Sequence, residues 1–486
     1  MAYHAPVDTP EQHDPWQTPP SQYRPSTAPA MTDAQQELPI PPLSSIRLVI
    51  AWVCIAICTA VLFVLQAVGM QMVQEMYAED TRPGFGAIYI ARYATGVENM
   101  FTGQGGQLMS EFDIMTQQSL HPVPSETRAV ILAGEIAPGS LDRRLDSLED
   151  LKLEAEADAR EDADLIHRIY AEGYTPSAAE QDRLVERHGW FGEIAATYNL
   201  PSSSGDHQSP RQSATVVVLS VLGFGFTVIL AGLAGFVLAI IAIILLCTQK
   251  LVPLLATGAA GHRTAYLEMV ALFLLVFIGA QIVFGTIQEL TGVDLMLPLL
   301  ITAALPLLWP VLIGVPWRRF KQDMGFHMGR GIFREIGAGL IGYMAGLPII
   351  AIGILITFLL SFFADAQADH PIQYELLDGG TYSIFLTLAA AVIWAPLVEE
   401  SVFRSGFYRH MRQRPGVGGF LLATGMTAFI FAAIHPQGWV GIPALMSIAF
   451  VLSGLREWRS SIVPSMVAHA VHNGALCLIF GIVLFA

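Results

Sequence analysis

Long apolar runs recur along this sequence and set the first constraint on its fold. A helix needs about 17–25 mainly apolar residues to cross the hydrocarbon core of a bilayer, and most of these runs are of that length. Inside lipid every backbone polar group must find its partner within the segment, so such runs form helices. We therefore predict an all-α integral membrane protein with about nine transmembrane helices. The runs are 47–74, 214–247, 265–287, 295–316, 336–363, 382–408, 417–436, 440–455 and 461–486.

The composition agrees with a lipid surrounding. Hydrophobic residues make up 53% of the chain and charged residues 14%, whereas about a quarter of the residues in a soluble domain are charged. So little charge does not cover the surface of a soluble protein of 486 residues. The formal net charge is −15, and most of it lies between Glu79 and Pro210. An acidic chain of this kind excludes nucleic acid as a partner and leaves the lipid bilayer as its solvent.

Polar and apolar stretches divide the chain into five parts. The Pro-rich start lacks hydrophobic periodicity and predicts a disordered tail. The polar stretch after the first apolar run predicts a helical acidic insert, in which 141–172 forms one or two charged helices and 201–213 is a linker. The predicted parts are the tail 1–45, the first transmembrane helix 46–75, the acidic insert 76–212, transmembrane helices with a basic loop 213–334, and a final transmembrane bundle 335–486.

Positive charge is concentrated in alternate loops, and this pattern predicts the orientation. The loops 288–294 and 364–381 carry acidic residues and are poor in Lys and Arg. Because Lys and Arg are enriched in cytoplasmic loops, we expect the basic loops and the N-terminus in the cytoplasm and the acidic insert outside. The basic residues are Arg318, Arg319, Lys321, Arg330, Arg334, Arg409, Arg412, Arg414, Arg456 and Arg459.

Two of the apolar runs are rich in glycine. Small residues let membrane helices approach closely, so we expect helix–helix contacts along both. The glycines are Gly223, Gly225, Gly232 and Gly235 in one run and Gly337, Gly339, Gly342 and Gly346 in the other.

Ionisable side chains inside membrane spans are expensive and mark functional sites. The run 382–408 contains Glu399, Glu400 and Arg404. Glu400 and Arg404 are four residues apart and share a helix face, so we interpret them as a structural ion pair. Glu399 points about 100° away around the helix and is the carboxylate left free to act on water.

The next polar groups lie on two later spans. Phe431 and His435 are four residues apart, as are His469 and Asn473, so each pair shares a helix face. Three helices therefore direct polar groups into a common interior. His472 faces away from His469 and is interpreted as non-catalytic. Glu268, near the start of its span, is interpreted as an interfacial or helix-end charge.

Together the patterns E-E-x-x-x-R, F-x-x-x-H and H-x-x-x-[ND] resemble the three motifs of the CPBP intramembrane proteases. This family includes the CAAX prenyl endopeptidases, the bacteriocin-processing proteins and proteins similar to the lysostaphin-resistance protein. The resemblance covers about 335–486. One departure is Ser405, where the family commonly has Gly after the Arg. The resemblance implies an intramembrane endopeptidase of glutamic or metallo type.

The resemblance also implies roles for the motif residues. Glu399, helped by His435, is the general base that activates water. His469 and Asn473 stabilise the oxyanion of the tetrahedral intermediate, and Glu400, Arg404 and Phe431 support these groups. Glu399, His435 and His469 are also plausible ligands for a divalent metal such as zinc. A Glu–His pair activates water without a metal as well, and we prefer this alternative.

The implied substrate is a peptide or protein in the membrane, with prenylated CAAX-type sequences as the narrower case. The breadth of the family favours a bacterial inner membrane. Two alternatives remain open from the sequence. One is a non-proteolytic relative that acts as a membrane scaffold or immunity protein. The other is a proton-coupled transporter that uses the buried acidic and His groups as a relay.

Overall fold

The protein is described by a computed structural model whose regular secondary structure is entirely helical in the described residues, as predicted. The predicted tail 1–45 lies outside these residues except for Ser45. The described residues are 45–78, 81–116, 121–253, 255, 263–364, 376 and 380–485. The helices are α1 Ser45–Ala78, α2 Phe85–Met100, α3 Met109–Thr116, α4 Pro122–Ile136, α5 Leu141–Leu151, α6 Ala157–Glu172, α7 Ala178–His188, α8 Trp190–Thr197, α9 Gly205–Cys247, α10 Arg263–Thr291, α11 Met296–Ala304, α12 Trp309–Leu312, α13 Trp317–Met324, α14 Ile332–Ala364, α15 Thr381–Met411, α16 Gly416–Ala433, α17 Ile442–Arg459 and α18 Val463–Phe485.

The chain forms two compact units, which we call the core unit and the insert unit. The core unit consists of Met1–Gln66, Ala231–Asp369 and Phe385–Gly474. The insert unit consists of Ala67–Leu230, His370–Ile384 and Ala475–Ala486.

Eight helices in the described part of the chain are long and apolar enough to cross a membrane. They are α1, α9, α10, α14, α15, α16, α17 and α18. The protein is therefore a multi-pass membrane protein. The predicted run 295–316 differs, because it forms the shorter apolar segment Met296–Leu312, in which a 3₁₀ turn separates α11 from α12. Pro306 and Pro310 each lack a backbone N–H in the middle of this segment, which explains why one continuous helix does not form, whereas Pro298 lies in the first turn of α11 and is tolerated there.

The helix that carries the acidic pair lies at the centre of the core unit. Phe403 and Phe407 of α15 are fully buried among residues of α1, α10, α13 and α16. The rings of Trp52 in α1 and Phe407 meet edge to face, 5.5 Å apart, and those of Phe403 and Phe431 meet in the same way at 5.3 Å. This packing holds α15 against the helices on either side of it.

Two glycines of the second glycine-rich run, Gly342 and Gly346, bring α14 close to α17, as predicted. A Cβ atom built on Gly346 would lie 2.4 Å from Cγ1 of Val451, and one built on Gly342 would lie 2.2 Å from Cδ2 of Leu455. In the first run Gly235 closely approaches the carbonyl oxygen of Met344. A Cβ atom built on four other glycines of these two runs would meet no atom of another element within 4 Å in the described structure, so the prediction is wrong for them: Gly223, Gly225, Gly232 and Gly337.

The insert unit has its own hydrophobic core, built mainly by α2 and α4–α8. The predicted charged stretch 141–172 forms two helices, α5 and α6, which confirms that expectation. The predicted linker 201–213 is wrong over most of its length, because α9 already begins at Gly205. The Oγ of Ser204 accepts a hydrogen bond from the N–H of His207, and a serine in this place starts a helix by satisfying a free N–H.

The basic loops meet at one end of the core unit. Arg459 donates two hydrogen bonds to Glu335, at 2.9 and 2.5 Å. Arg456 donates to the carbonyl oxygen of Asp323 at 2.9 Å, and Arg412 donates to Glu457 at 2.8 Å. The first turn of α10 lies at the same end as α13, because the hydroxyl of Tyr266 donates to Asp323 at 3.0 Å. Since α10 leads away from this end, the segment between α10 and α13 returns the chain to it. We call this end the basic end.

Candidate active site

The helix α15 departs from regular α-helical geometry on both sides of the acidic pair. Ala390–Trp394 and Ser401–Phe407 are π-helical turns, and Ala395–Glu400 between them is α-helical. Such wide turns are frequent at functional sites. Pro396 has no N–H to donate to the preceding turn, which accounts for the first of them.

Glu400 and Arg404 form the ion pair expected from their spacing, and both side chains are fully buried. Nη1 of Arg404 lies 3.1 Å from Oε1 of Glu400. The same carboxylate oxygen accepts a hydrogen bond from Nδ1 of His469 at 2.9 Å. The guanidinium group of Arg404 also lies over the ring of Phe431, 4.4 Å from its centroid. Of the three residues interpreted as supporting ones, Glu400 therefore binds His469 directly, the ring of Phe431 lies 6.2 Å from that of His469, and Arg404 contacts both Glu400 and Phe431.

Glu399 faces the two histidines from the neighbouring position. Its Oε2 lies 3.8 Å from Nε2 of His435 and 4.0 Å from Nε2 of His469. This oxygen is buried, yet it has no hydrogen-bond partner among the described residues. The side chains of Glu399 and His435 retain 18% and 19% of their exposure, whereas His469 retains 5%. The site is thus partly open on the side of Glu399 and His435.

The hydrogen bonds at Nδ1 of His435 and of His469 determine the protonation state of the Nε2 atom with which each ring faces Glu399. Nδ1 of His435 lies 2.5 Å from the carbonyl oxygen of Phe431, and a carbonyl oxygen only accepts, so this nitrogen carries the proton. In neutral His435 the lone pair is then on Nε2. Nδ1 of His469 is likewise a donor, because its partner is the buried carboxylate of Glu400. Both Nε2 atoms are therefore turned toward Glu399.

Asn473 lies one helical turn beyond His469 and binds a different part of α15. Its Nδ2 donates to the carbonyl oxygen of Ala391 in the first π-helical turn, at 2.8 Å. Within the described residues it makes no hydrogen bond to Glu399 or His435. An amide nitrogen carries two protons, so this bond leaves one for another acceptor. The structure thus brings Glu399, His435 and His469 together and holds Asn473 beside them.

The two residues interpreted as non-catalytic have other partners. Nδ1 of His472 lies 3.1 Å from the hydroxyl of Tyr343 in α14, on a different side of α18 from His469. Glu268 accepts hydrogen bonds from Arg47 at 2.5 Å and from the indole N–H of Trp309 at 2.9 Å.

Two glutamines near the histidines were missed by the sequence-based reasoning. Nε2 of Gln66 in α1 lies 3.4 Å from the carbonyl oxygen of Ile434, the residue before His435. Oε1 of Gln437, two residues after His435, is buried without a hydrogen-bond partner in the described part of the chain. A polar residue at the end of an apolar run was the available signal for Gln66.

The distances test whether zinc fits between these side chains. Ligands about 2.1 Å from a tetrahedral zinc ion are about 3.4 Å apart, whereas Oε2 of Glu399 is 3.8 and 4.0 Å from the two imidazole nitrogens. No group of three His, Cys, Asp or Glu residues in the described ranges has the spacing of a metal site. At these separations two zinc ligands would subtend about 130–145° at the metal, wider than a tetrahedral angle. Two partners of one water molecule, each at about 2.8 Å, would subtend about 85–90°, narrower than a tetrahedral angle.

Comparison with known proteins identifies the segment that contains these groups. Residues 381–475 match the type II CAAX prenyl endopeptidase Rce1-like family. This segment is Rce1-like. The resemblance inferred from the motifs is thereby confirmed, over a shorter range than 335–486. The match begins with α15 and includes all seven motif residues. At the level of the family, it supports a CAAX-type intramembrane endopeptidase. Searches of curated proteins and of solved structures each found no match.

Proposed function

We propose that this protein is an intramembrane endopeptidase that hydrolyses peptide bonds in membrane-associated substrates with water activated by Glu399 and His435. The observation that carries the proposal is the unpartnered, buried Oε2 of Glu399, which faces two imidazole nitrogens. An unpaired carboxylate oxygen in such a place is a costly arrangement for stability alone. The Rce1-like match supports this class of reaction.

The proposed first step is attack of water on the scissile carbonyl carbon. A water molecule donates one proton to Oε2 of Glu399 and the other to Nε2 of His435, so that an oxygen lone pair is directed at the substrate. Glu399 takes the proton as the new C–O bond forms. It then gives this proton to the leaving amine nitrogen as the C–N bond breaks. No proton is gained or lost in the cycle.

The proposed oxyanion donors are His469 and Asn473. The cluster has a net charge of −1, from two carboxylates (Glu399 and Glu400) and one guanidinium group (Arg404). A second proton on His469 would neutralise this charge. In this form Nε2 of His469 is a donor and stabilises the developing oxyanion, while Glu400 holds Nδ1. The second amide proton of Asn473 is the other donor. Phe431 packs 4.3 Å from the ring of His435 and fixes its orientation.

We propose that this chemistry needs no metal, because a Glu–His pair such as Glu399 and His435 activates water by itself and no group of three possible ligands among the described residues is spaced to hold a metal ion. The narrower substrate that we propose is a prenylated CAAX-type peptide, by analogy with the family. We also propose an N-terminus in the cytoplasm and a bacterial inner membrane as the location. The meeting of the basic loops at one end of the core unit supports this orientation.

Cleavage by purified protein in liposomes tests the proposal. The substrates are a peptide library that includes prenylated CAAX sequences, assayed with wild type and with Glu399→Ala, His435→Ala and His469→Ala. Loss of a general base lowers the rate about 10²–10⁴-fold, and we expect such losses in the first two variants. His472→Ala is the matched control and should remain active. A strong chelator should leave the wild-type rate unchanged.

Two outcomes contradict parts of the proposal. Cleavage that persists in Glu399→Ala would exclude the general base, and inhibition by the chelator that is reversed by zinc would exclude the metal-free step. If the folded wild-type protein cleaves no peptide, the non-proteolytic scaffold becomes the better account. Proton-coupled uptake into vesicles that Glu399→Gln abolishes would instead support a transporter.

A further inference from the structure

The helix α13 and the loop that follows it form a surface outside the proposed active site, which we call the α13 surface (residues 317–334). The helix is amphipathic: it buries Phe320, Asp323 and Met324 and exposes its other face. The exposed basic side chains are Arg318, Arg319, Lys321, Arg330 and Arg334. The exposed large apolar side chains are Trp317, Phe326, Met328, Ile332 and Phe333.

The α13 surface carries positive charge without an exposed carboxylate. The only acidic residue between 317 and 334 is Asp323, which is buried and accepts hydrogen bonds from Tyr266 and Arg319, both at 3.0 Å. The next acidic residue, Glu335, is fully buried and paired with Arg459. Arg318, Lys321 and Arg334 therefore give this surface a net positive charge that no exposed carboxylate on the same stretch cancels.

The position of this surface along the chain puts it at the edge of the bilayer. It lies directly before α14, a helix of 33 residues that is long and apolar enough to cross a membrane. The first turn of α14 exposes Phe333 at 86% of its surface. Trp and other aromatic residues are enriched at the membrane–water boundary, and basic residues beside them reach the lipid phosphates. Nζ of Lys321 already lies 5.8 Å from the centroid of the Trp317 ring.

The α13 surface is held rigidly by hydrogen bonds to the rest of the core unit. Ser405 of α15 donates to the carbonyl oxygen of Met324. The N–H of Ile462 donates to the carbonyl oxygen of Gly325 at 3.1 Å. Gly325 has φ +76° and is packed against the guanidinium group of Arg456, so a side chain there would be strained and would collide with it. The basic and aromatic groups are thus presented by a fixed helix end rather than by a flexible tail.

From these observations we infer that the α13 surface binds the headgroups of anionic phospholipids. The basic side chains pair with the lipid phosphates, and the exposed aromatic side chains occupy the boundary with the acyl chains. Charge complementarity selects this partner over a zwitterionic lipid, because the headgroup must supply net negative charge. The inference concerns lipid binding alone and does not depend on the proposed peptidase activity.

Fluorescence quenching of the full-length protein in vesicles tests this inference. Brominated phosphatidylglycerol and brominated phosphatidylcholine are compared as quenchers, and the Trp317 component is the difference between wild type and Trp317→Phe. Each basic residue near an anionic surface contributes about a fivefold preference. We therefore expect Arg318→Gln/Lys321→Gln to lower the preference for phosphatidylglycerol about thirtyfold.

The matched control removes the same charge from two exposed positions of the insert, Arg143→Gln/Arg160→Gln, and should keep the wild-type preference. Equal loss in the control and in the test variant would overturn the inference, as would a wild-type Trp317 component that does not distinguish the two lipids. Salt provides a test that needs no variant at the basic positions. The preference should fall steeply between 0.1 and 1 M NaCl, because the Debye length shortens from about 10 to 3 Å. A preference that salt leaves unchanged also overturns the inference.

Discussion

At the scale of residues, the two adjacent glutamates of α15 have different surroundings. Glu400 is fully buried and contacts both Arg404 and His469. Oε2 of each glutamate is buried without a hydrogen-bond partner in the described structure. Because Oε1 of Glu400 is held by Arg404 and His469, Glu400 suits support, whereas Glu399 is partly exposed and faces His435 at 3.8 Å, which suits chemistry.

Substitution of each glutamate by glutamine should separate these roles. Glu400→Gln leaves the buried charge of Arg404 without its partner, and we expect a loss of about 3–5 kcal/mol in the free energy of unfolding. Glu399→Gln should leave stability unchanged and abolish cleavage. Unfolding in detergent and cleavage in liposomes measure the two effects. An equal loss of stability in both variants would contradict this division of roles.

A histidine in the insert unit predicts a pH dependence of stability. Nε2 of His188 lies 3.3 Å from Asp162, and its Nδ1 is buried without a hydrogen-bond partner among the described residues. Burial lowers the pKa of His188 below its ordinary value and Arg128 acts in the same direction, while Asp162 opposes them. The folded state thus binds fewer protons than the unfolded state.

Stability from neutral His188 is fully present above its unfolded pKa of about 6.5, and it is lost as the pH falls from there toward the lower folded pKa. We expect faster hydrogen exchange in α6 and α7 at pH 5.5 than at pH 7.5, after correction for intrinsic rates. His188→Gln should remove most of this difference. A pH dependence that is the same in His188→Gln would show that other groups cause it.

The sequence predicted the residues that meet, because i, i+4 spacing determines a shared helix face. Glu400 and Arg404 are paired, and His435 and His469 both face Glu399. The bond from Asn473 to Ala391 was not predictable. It joins residues 82 positions apart, and its acceptor lies in a π-helical turn whose position depends on packing rather than on residue spacing.

At the scale of elements, prolines and glycines explain where the apolar runs depart from simple spanning helices. The segment Met296–Leu312 contains three prolines and breaks into shorter pieces. The hydropathy of this run predicted a membrane span, because hydropathy depends only on how apolar the residues are. It takes no account of the backbone N–H that each proline lacks. For the glycines, composition alone could not separate Gly346, where an added Cβ atom would collide with Val451, from Gly223, where an added Cβ atom would meet open space in the described structure.

The two glycines provide a matched pair for a packing experiment. Gly346→Ala places a Cβ atom 2.4 Å from Val451, and overpacking of this kind costs about 1–3 kcal/mol. Gly223→Ala meets open space and should be neutral, or stabilising by up to about 1 kcal/mol, because alanine favours the helix. Thermal unfolding in detergent compares them. A larger loss in Gly223→Ala would contradict the packing of α14 against α17.

At the scale of the whole molecule, charge is distributed unevenly along the chain. The insert supplies most of the net negative charge, while the basic loops meet at the basic end of the core unit. This distribution was predictable, because loop charge is read directly from the sequence. The fold of the insert was not predictable from the sequence, because its hydrophobic core depends on contacts among seven short helices, α2–α8.

Labelling of single cysteines tests the proposed orientation. The four native cysteines are first replaced, and Arg143→Cys in the insert or Arg414→Cys at the basic end is then introduced. An impermeant maleimide added to intact cells should react with Arg143→Cys, because the proposed orientation keeps the basic loops and the N-terminus in the cytoplasm and α1 then carries the insert across the membrane. Arg414→Cys should react only after the membrane is permeabilised. The reverse result would invert the orientation.

The ion pair within α15 has a consequence for biosynthesis. Glu400 and Arg404 are on the same helix, so their charges cancel when α15 enters the membrane, before any later helix is made. His469 arrives with α18 and completes the cluster afterwards. We expect a nascent chain that stops before Val463 to insert α15 normally and to lack peptidase activity, whereas Arg404→Ala should impair that insertion. Glycosylation mapping during translation would detect the difference, and equal insertion of both chains would exclude this order of assembly.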